Sequence, residues 1–212
     1  MKINRQQKQK LPSITGGMTL VEVLIAISTF VIVVVAVASF QANIFKYKTS
    51  VSGSYQTAQN AQVILKTALT EIREAGPGAN GAYALINAGS TTLSFFSDAN
   101  NDGLIEKITY TLMGTTLYRA TINPTGNPVV YNLASQATTT LLERVVNGIT
   151  LPVFQYFDTN YSGTTSPMVY PISNNKVRLV KINVKIDLDP LNAPAPIIYS
   201  VQGSIRNLKS NL

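Results

Sequence analysis

The residues able to do chemistry in this chain are few, and their types narrow the choice at once. Among its 212 residues there is no Cys and no His. Thiol and imidazole nucleophiles, thiolate zinc sites and imidazole-bound metals are thereby excluded. Metal chemistry is restricted to oxygen ligands, and so to calcium or magnesium. One run supplies such ligands at suitable spacing. Asp98-Ala99-Asn100-Asn101-Asp102-Gly103 places side-chain oxygens at alternate positions and Gly at the sixth, as the first half of a calcium loop does. The candidate ligands are Asp98, Asn100 and Asp102. Thr109 stands at the twelfth position where a bidentate Glu is expected, with Glu106 at the ninth as its available substitute. The competing reading is a hairpin loop, because Asn-Asp-Gly between two β-rich runs is a strong turn signal.

No catalytic constellation accompanies this loop. Asp158, Asp187 and Glu143 are acids that no spacing brings together. The serines lack both a His partner and a Gly-x-Ser-x-Gly elbow. The chain reads as a non-enzyme with no resident cofactor beyond the calcium candidate.

The other chemically loaded residue is Glu22. It stands at the mouth of an apolar run, residues 23–40, and no further charge appears until Lys46. A helix of about 20 apolar residues crosses a bilayer, so this run predicts a membrane span. Its many β-branched residues are no obstacle, since in lipid the backbone must bond within the segment. An ionisable group at membrane depth is costly and implies a function. Met18, Thr19, Leu20 and Val21 offer it no cation. A cut between Gly17 and Met18 would create one, the new α-ammonium.

Charge orients the span. The chain carries 17 Lys+Arg against 10 Asp+Glu, a net charge of +7. Lys2, Arg5, Lys8 and Lys10 all precede the apolar run, and without them the balance is +3. Cations before a first span predict a cytoplasmic N-terminus with the remainder outside. A cationic track from Lys176, Arg178, Lys181 and Lys185 would suit DNA uptake, but charged strand faces also serve to block aggregation. Nucleic acid is therefore not the expected partner.

The elements behind these residues follow from periodicity. Ala58, Ala61, Ile64, Leu65, Ala68, Leu69, Ile72 and Ala75 recur at three- and four-residue steps, with Lys66, Thr67, Thr70, Glu71 and Glu74 on the other face. Gly76-Pro77-Gly78 stops this pattern. One helix is expected from near Met18 to about Ala75. Beyond Gly81 the period changes to two. Strands are expected at 91–96, 107–112, 117–122, 149–157, 180–188 and from 197 on, and a short helix at 138–146. The loop 189–196 carries three prolines. The fold class is α+β: a long N-terminal helix, membrane-spanning then amphipathic, packed on an antiparallel sheet.

Gly16-Gly17-Met18-Thr19-Leu20-Val21-Glu22-Val23-Leu24-Ile25 resembles the class III signal of type IV prepilins and type II secretion pseudopilins. The resemblance implies a basic leader, residues 1–17, cut after Gly17 by a prepilin peptidase that N-methylates Met18. Glu22 then becomes the acid at the fifth mature position. Met18 departs from the Phe usual in that family, and Ser39 stands where many major pilins have a kinking Pro. Segments 18–45, 46–76 and 77–212 would be the apolar assembly helix, its amphipathic continuation and a β-rich head.

Further along, Glu71-Ile72-Arg73-Glu74-Ala75-Gly76, the Asp98–Gly103 run, Tyr156-Phe157-Asp158 and Ile205-Arg206-Asn207 look like J-type minor pseudopilins and W-type minor pilins. This implies a structural subunit that primes or caps a filament built from the inner membrane. Its partners would be other pilins or pseudopilins, the prepilin peptidase and the membrane assembly platform. The alternative on the same anchor is a pilus-tip adhesin or DNA receptor. Two other readings of the N-terminal region compete: a secretory signal peptide cut after Ala36-Val37-Ala38, and an unprocessed anchor.

Within this resemblance Glu22 has a physical role. A carboxylate carried into a bundle of apolar helices is expensive unless it meets a positive charge. The Met18 ammonium of an adjacent subunit supplies one, and the pair fixes axial register. The plainer alternative is a carboxylate snorkelling at the cytoplasmic interface.

Overall fold

The computed structural model describes residues 16–188 and 195–208, the side chains of 46, 47 and 49–55 excepted. Most of the expected leader and most of the proline-rich loop at 189–196 lie outside the described residues. The chain divides into two compact units, with the boundary between Thr49 and Ser50.

Helix α1 (Leu20–Arg73) begins where the apolar run was read. In the first unit its stretch Leu20–Phe45 is 26 residues long and wholly unburied. At 1.5 Å per residue that is about 39 Å, more than the roughly 30 Å of a hydrocarbon core. Its large apolar side chains, among them Leu24, Ile25, Phe30, Ile32 and Phe40, are exposed. Its hydroxyls turn back on the helix: those of Ser28, Thr29 and Ser39 donate to the carbonyls of Leu24, Ile25 and Val35. In lipid this leaves no hydroxyl without a partner.

In the second unit α1 is half-buried along one stripe. Ala61, Leu65, Ala68 and Ile72 are buried, and Ala75 just beyond the helix extends the row. The helix ends as Ala75 N–H switches to the Ile72 carbonyl and Gly76 N–H leaves for the carbonyl of Phe96. The Asn207 amide donates to the Ala75 carbonyl, a group the terminus would otherwise leave orphaned.

The rest of the second unit is built of strands β1 (Leu85–Ala88), β2 (Thr92–Ser97), β3 (Glu106–Met113), β4 (Thr116–Ile122), β5 (Pro124–Thr125), β6 (Val130–Tyr131), β7 (Ala137–Leu142), β8 (Phe154–Phe157), β9 (Leu179–Ile186) and β10 (Ile197–Ser204). They form a five-stranded sheet in the order β1-β2-β3-β4-β7, a three-stranded sheet β10-β9-β8 and the two-stranded β5-β6. Every pairing is antiparallel. A bridge between Val145 and Ile186 joins the chain after β7 to β9. The core holds Leu65 and Ile72 from α1, Phe95 and Ile108 from the larger sheet, and Phe154, Tyr156, Val180 and Ile182 from the smaller one. Gly203 on β10 permits the closest approach of helix and sheet, since a Cβ there would lie 2.7 Å from Leu69 Cδ1.

The fold is α+β, as the periodicities predict, with three corrections. The segment 138–146 is not a short helix. Thr138, Thr139 and Thr140 pair with Ala120, Arg119 and Tyr118 as part of β7. Three consecutive β-branched residues favour the pleated edge of a sheet over a helix. The strand expected at 149–157 is confined to β8, and Ile149 is fully exposed at 101%. Pro152 has no N–H with which to extend the ladder. Glu71, read as solvent-facing, is buried at 7%.

Candidate functional site

The residues expected to be processed and to dock, Gly17, Met18 and Glu22, sit at the start of α1. Gly16, Gly17, Met18 and Thr19 are exposed and outside the helix, which begins at Leu20. An exposed, unstructured junction is what a peptidase needs for access to the Gly17–Met18 bond. Glu22 is exposed and has an uncharged local partner, Thr19. Thr19 N–H donates to Glu22 Oε2 at 3.5 Å, and Glu22 N–H donates to Thr19 Oγ1 at 3.3 Å. This is a capping box, which satisfies two of the N–H groups a helix start leaves orphaned. The Thr-x-x-Glu spacing was its legible signal. The capping box engages one carboxylate oxygen, and among the described residues no cation pairs with Glu22 at the edge of this apolar segment.

The second candidate is the loop between β2 and β3. The Asp98 carboxylate accepts from Asp102 N–H at 3.1 Å and Gly103 N–H at 3.0 Å. Asn100 Oδ1 accepts from Asp102 N–H, and Asn100 Nδ2 donates to Asp102 Oδ2. Asp102 Oδ1 accepts from Leu104 N–H. Asn101 and Gly103 take left-handed backbone conformations, at φ 56° and 86°, which suits the Asn and Gly found there. The hairpin reading of this run is correct. In the same loop, oxygens of Asp98, Asp102 and Glu106 lie within 4.8 Å of one another. Asn100 is in the loop but is engaged with Asp102. Glu106, at the head of β3, accepts from Ala99 N–H at 3.0 Å through Oε2. Burial pushes its carboxyl above the usual range, against the Ala99 hydrogen bond and with the help of the Asp102 and Asp98 charges. The acids Asp158, Asp187 and Glu143 do not join this group. Asp158 instead accepts from Asn160 N–H in a turn of its own.

The third cluster was missed in the sequence. Glu71 accepts from the Tyr110 hydroxyl at 2.6 Å and pairs with the Arg119 guanidinium at 3.0 Å. Arg119 also donates to Thr121 Oγ1. Burial, then the Glu71 charge, drives the Tyr110 hydroxyl far above its ordinary pKa. Burial opposes the Arg119 charge, but Glu71 outweighs it and raises the Arg119 pKa. Every polar group in this set has a partner, which marks it as a structural tie between α1 and the larger sheet.

Of the cationic candidates, Lys181 and Lys185 share the outward face of β9, opposite Gln202 and Ile198. Arg178 is committed elsewhere, donating to the carbonyls of Asn175 and Val177. No family model and no curated protein matches this chain.

Proposed function

We propose that this chain is a structural minor subunit of a type IV pilus or type II secretion pseudopilus. Prepilin peptidase cuts it between Gly17 and Met18 and methylates the Met18 amine. It is held in the inner membrane by Leu20–Phe45, with the N-terminus cytoplasmic and the remainder in the periplasm or outside, and then enters a filament that it primes or caps. The observation that carries this reading is an acid, Glu22, without a cation partner among the described residues, in the first turn of an exposed apolar helix and directly behind an exposed Gly17–Met18 junction. A plain anchor gains only the helix cap from Glu22, which an uncharged Gln would supply as well. A subunit that leaves lipid for a helical bundle gains a charge-assisted contact with a neighbour's Met18 ammonium. Its partners are accordingly other pilins or pseudopilins, the peptidase and the assembly platform.

Two variants separate docking from helix capping. Glu22→Gln keeps the capping box, since Gln serves at that position as well as Glu, but removes the charge. Glu22→Ala removes both. Docking requires that both variants are processed yet enter filaments poorly. Normal incorporation of Glu22→Gln would reduce Glu22 to a helix cap and overturn the docking mechanism.

A further inference from the structure

The loop between β2 and β3 carries more than a turn requires. Glu106 is 2% exposed, and its Oε1 is buried with no hydrogen-bond partner among the described residues. Directly across the ladder stands Ser97, 1% exposed, whose Oγ is likewise buried and unpartnered. A buried polar atom without a partner is a cost that native structures rarely leave uncompensated. Here two belong to residues paired across the ladder, next to a loop that gathers two further carboxylates. Nothing about a hairpin demands that arrangement, and the Asp98 and Asp102 turn bonds form without Glu106.

The distances fit one cation. Oxygens on opposite sides of a calcium ion, each at about 2.4 Å, are at most about 5 Å apart. The oxygens of Asp98, Asp102 and Glu106 already satisfy that limit, at 4.8 Å or less. Glu106 stands at the ninth position of the loop, nearer than the twelfth-position acid of the usual motif. The β2–β3 ladder brings it back over the turn, because its partner Ser97 immediately precedes Asp98.

We propose that Asp98, Asp102 and Glu106, with the Asn100 amide oxygen, hold one calcium ion, Glu106 Oε1 being the buried ligand that closes the site. Three carboxylates and an amide oxygen on a pliant loop suit calcium, whereas magnesium demands near-ideal octahedral geometry and keeps its waters. The site is independent of the filament reading and stands or falls without it.

The test is equilibrium dialysis of the full chain in detergent micelles with radioactive calcium, and with magnesium as competitor. One calcium per chain is expected, with a dissociation constant of roughly 10⁻⁴–10⁻³ M, the range of modules that work outside cells. Asp102→Asn and Glu106→Gln should each weaken binding about tenfold or more by lowering the ligand charge. Asp158→Asn, outside the loop, should leave it unchanged. Asp102 is exposed, so that variant carries the test if Glu106→Gln fails to fold. No calcium bound up to about 10 mM, tenfold beyond that range, overturns the site. So does undiminished binding by Asp102→Asn, or magnesium binding as tight as calcium.

Discussion

Arg119 on β4 holds Glu71 on α1 in an ion pair of 3.0 Å, and the Tyr110 hydroxyl on β3 donates to the same carboxylate at 2.6 Å. Two neighbouring strands thus grip one acid of the helix that lies against them. A buried carboxylate costs several kcal/mol in lost hydration, and this geometry returns it through charge-assisted hydrogen bonds. Removing one partner leaves the other half of that balance exposed. Tyr110→Phe deletes a hydrogen bond to a charged group and should destabilise the fold by about 1.5–3 kcal/mol. Chemical denaturation of the full chain in detergent measures this directly. A change under about 0.5 kcal/mol, the scale of an ordinary surface substitution, would show that Glu71 is adequately hydrated without Tyr110.

The same hydroxyl sets an alkaline limit. The folded state holds the Tyr110 pKa above its ordinary value of 10.0, because burial and the Glu71 charge both oppose a phenolate. Stability from this group is therefore complete below about pH 10 and falls as pH rises beyond it, where the unfolded chain ionises first. Tyr110→Phe should lose less stability than the parent between pH 9.5 and 11.5, roughly the window around a tyrosine's usual pKa. Parallel losses in the two proteins would remove Tyr110 as the cause.

Gly203 is a packing requirement. A Cβ at this position meets Leu69 Cδ1 at 2.7 Å and Leu69 Cγ at 3.2 Å, with Arg73 Cδ at 3.3 Å behind. Gly203→Val should cost about 1–3 kcal/mol through overpacking of β10 against α1. Thermal unfolding reports it, and an unchanged midpoint would mean that helix and sheet separate freely.

At the helix start, Thr19 and Glu22 divide the labour differently from Glu22 alone. Thr19→Ala removes the capping hydroxyl, a loss of about 1 kcal/mol in helix stability, but leaves the carboxylate in place. Filament incorporation of Thr19→Ala should stay near the parent level while that of Glu22→Gln collapses. Equal defects in the two would assign the effect to capping.

Legibility followed the strength of the local period. β9 alternates buried Val180, Ile182, Val184 and Ile186 with Lys181 and Lys185, broken only at buried Asn183, and the sequence pattern places it to within two residues. β1 is four residues long between Gly81 and Gly89, too short for alternation to register. β7 was read as a helix because Leu141 and Leu142 beside polar threonines mimic an amphipathic turn, and only pairing with β4 settles it. Glu71 was misplaced because a charge was assumed to face water. Its position, three residues after Ala68 and four before Ala75, lies on the buried stripe. In the candidate calcium loop, spacing reveals Asp98, Asn100 and Asp102, but the burial of Glu106 and Ser97 depends on the ladder that places them opposite each other.

The central claim is that trimming creates the amine that Glu22 answers. Mass spectrometry of the polypeptide isolated from its native membranes tests this most directly. The account predicts a chain that begins at Met18 and carries one N-terminal methyl group. A chain that begins at Ser39, after Ala36-Val37-Ala38, or one that retains the basic residues before Gly17, would contradict it.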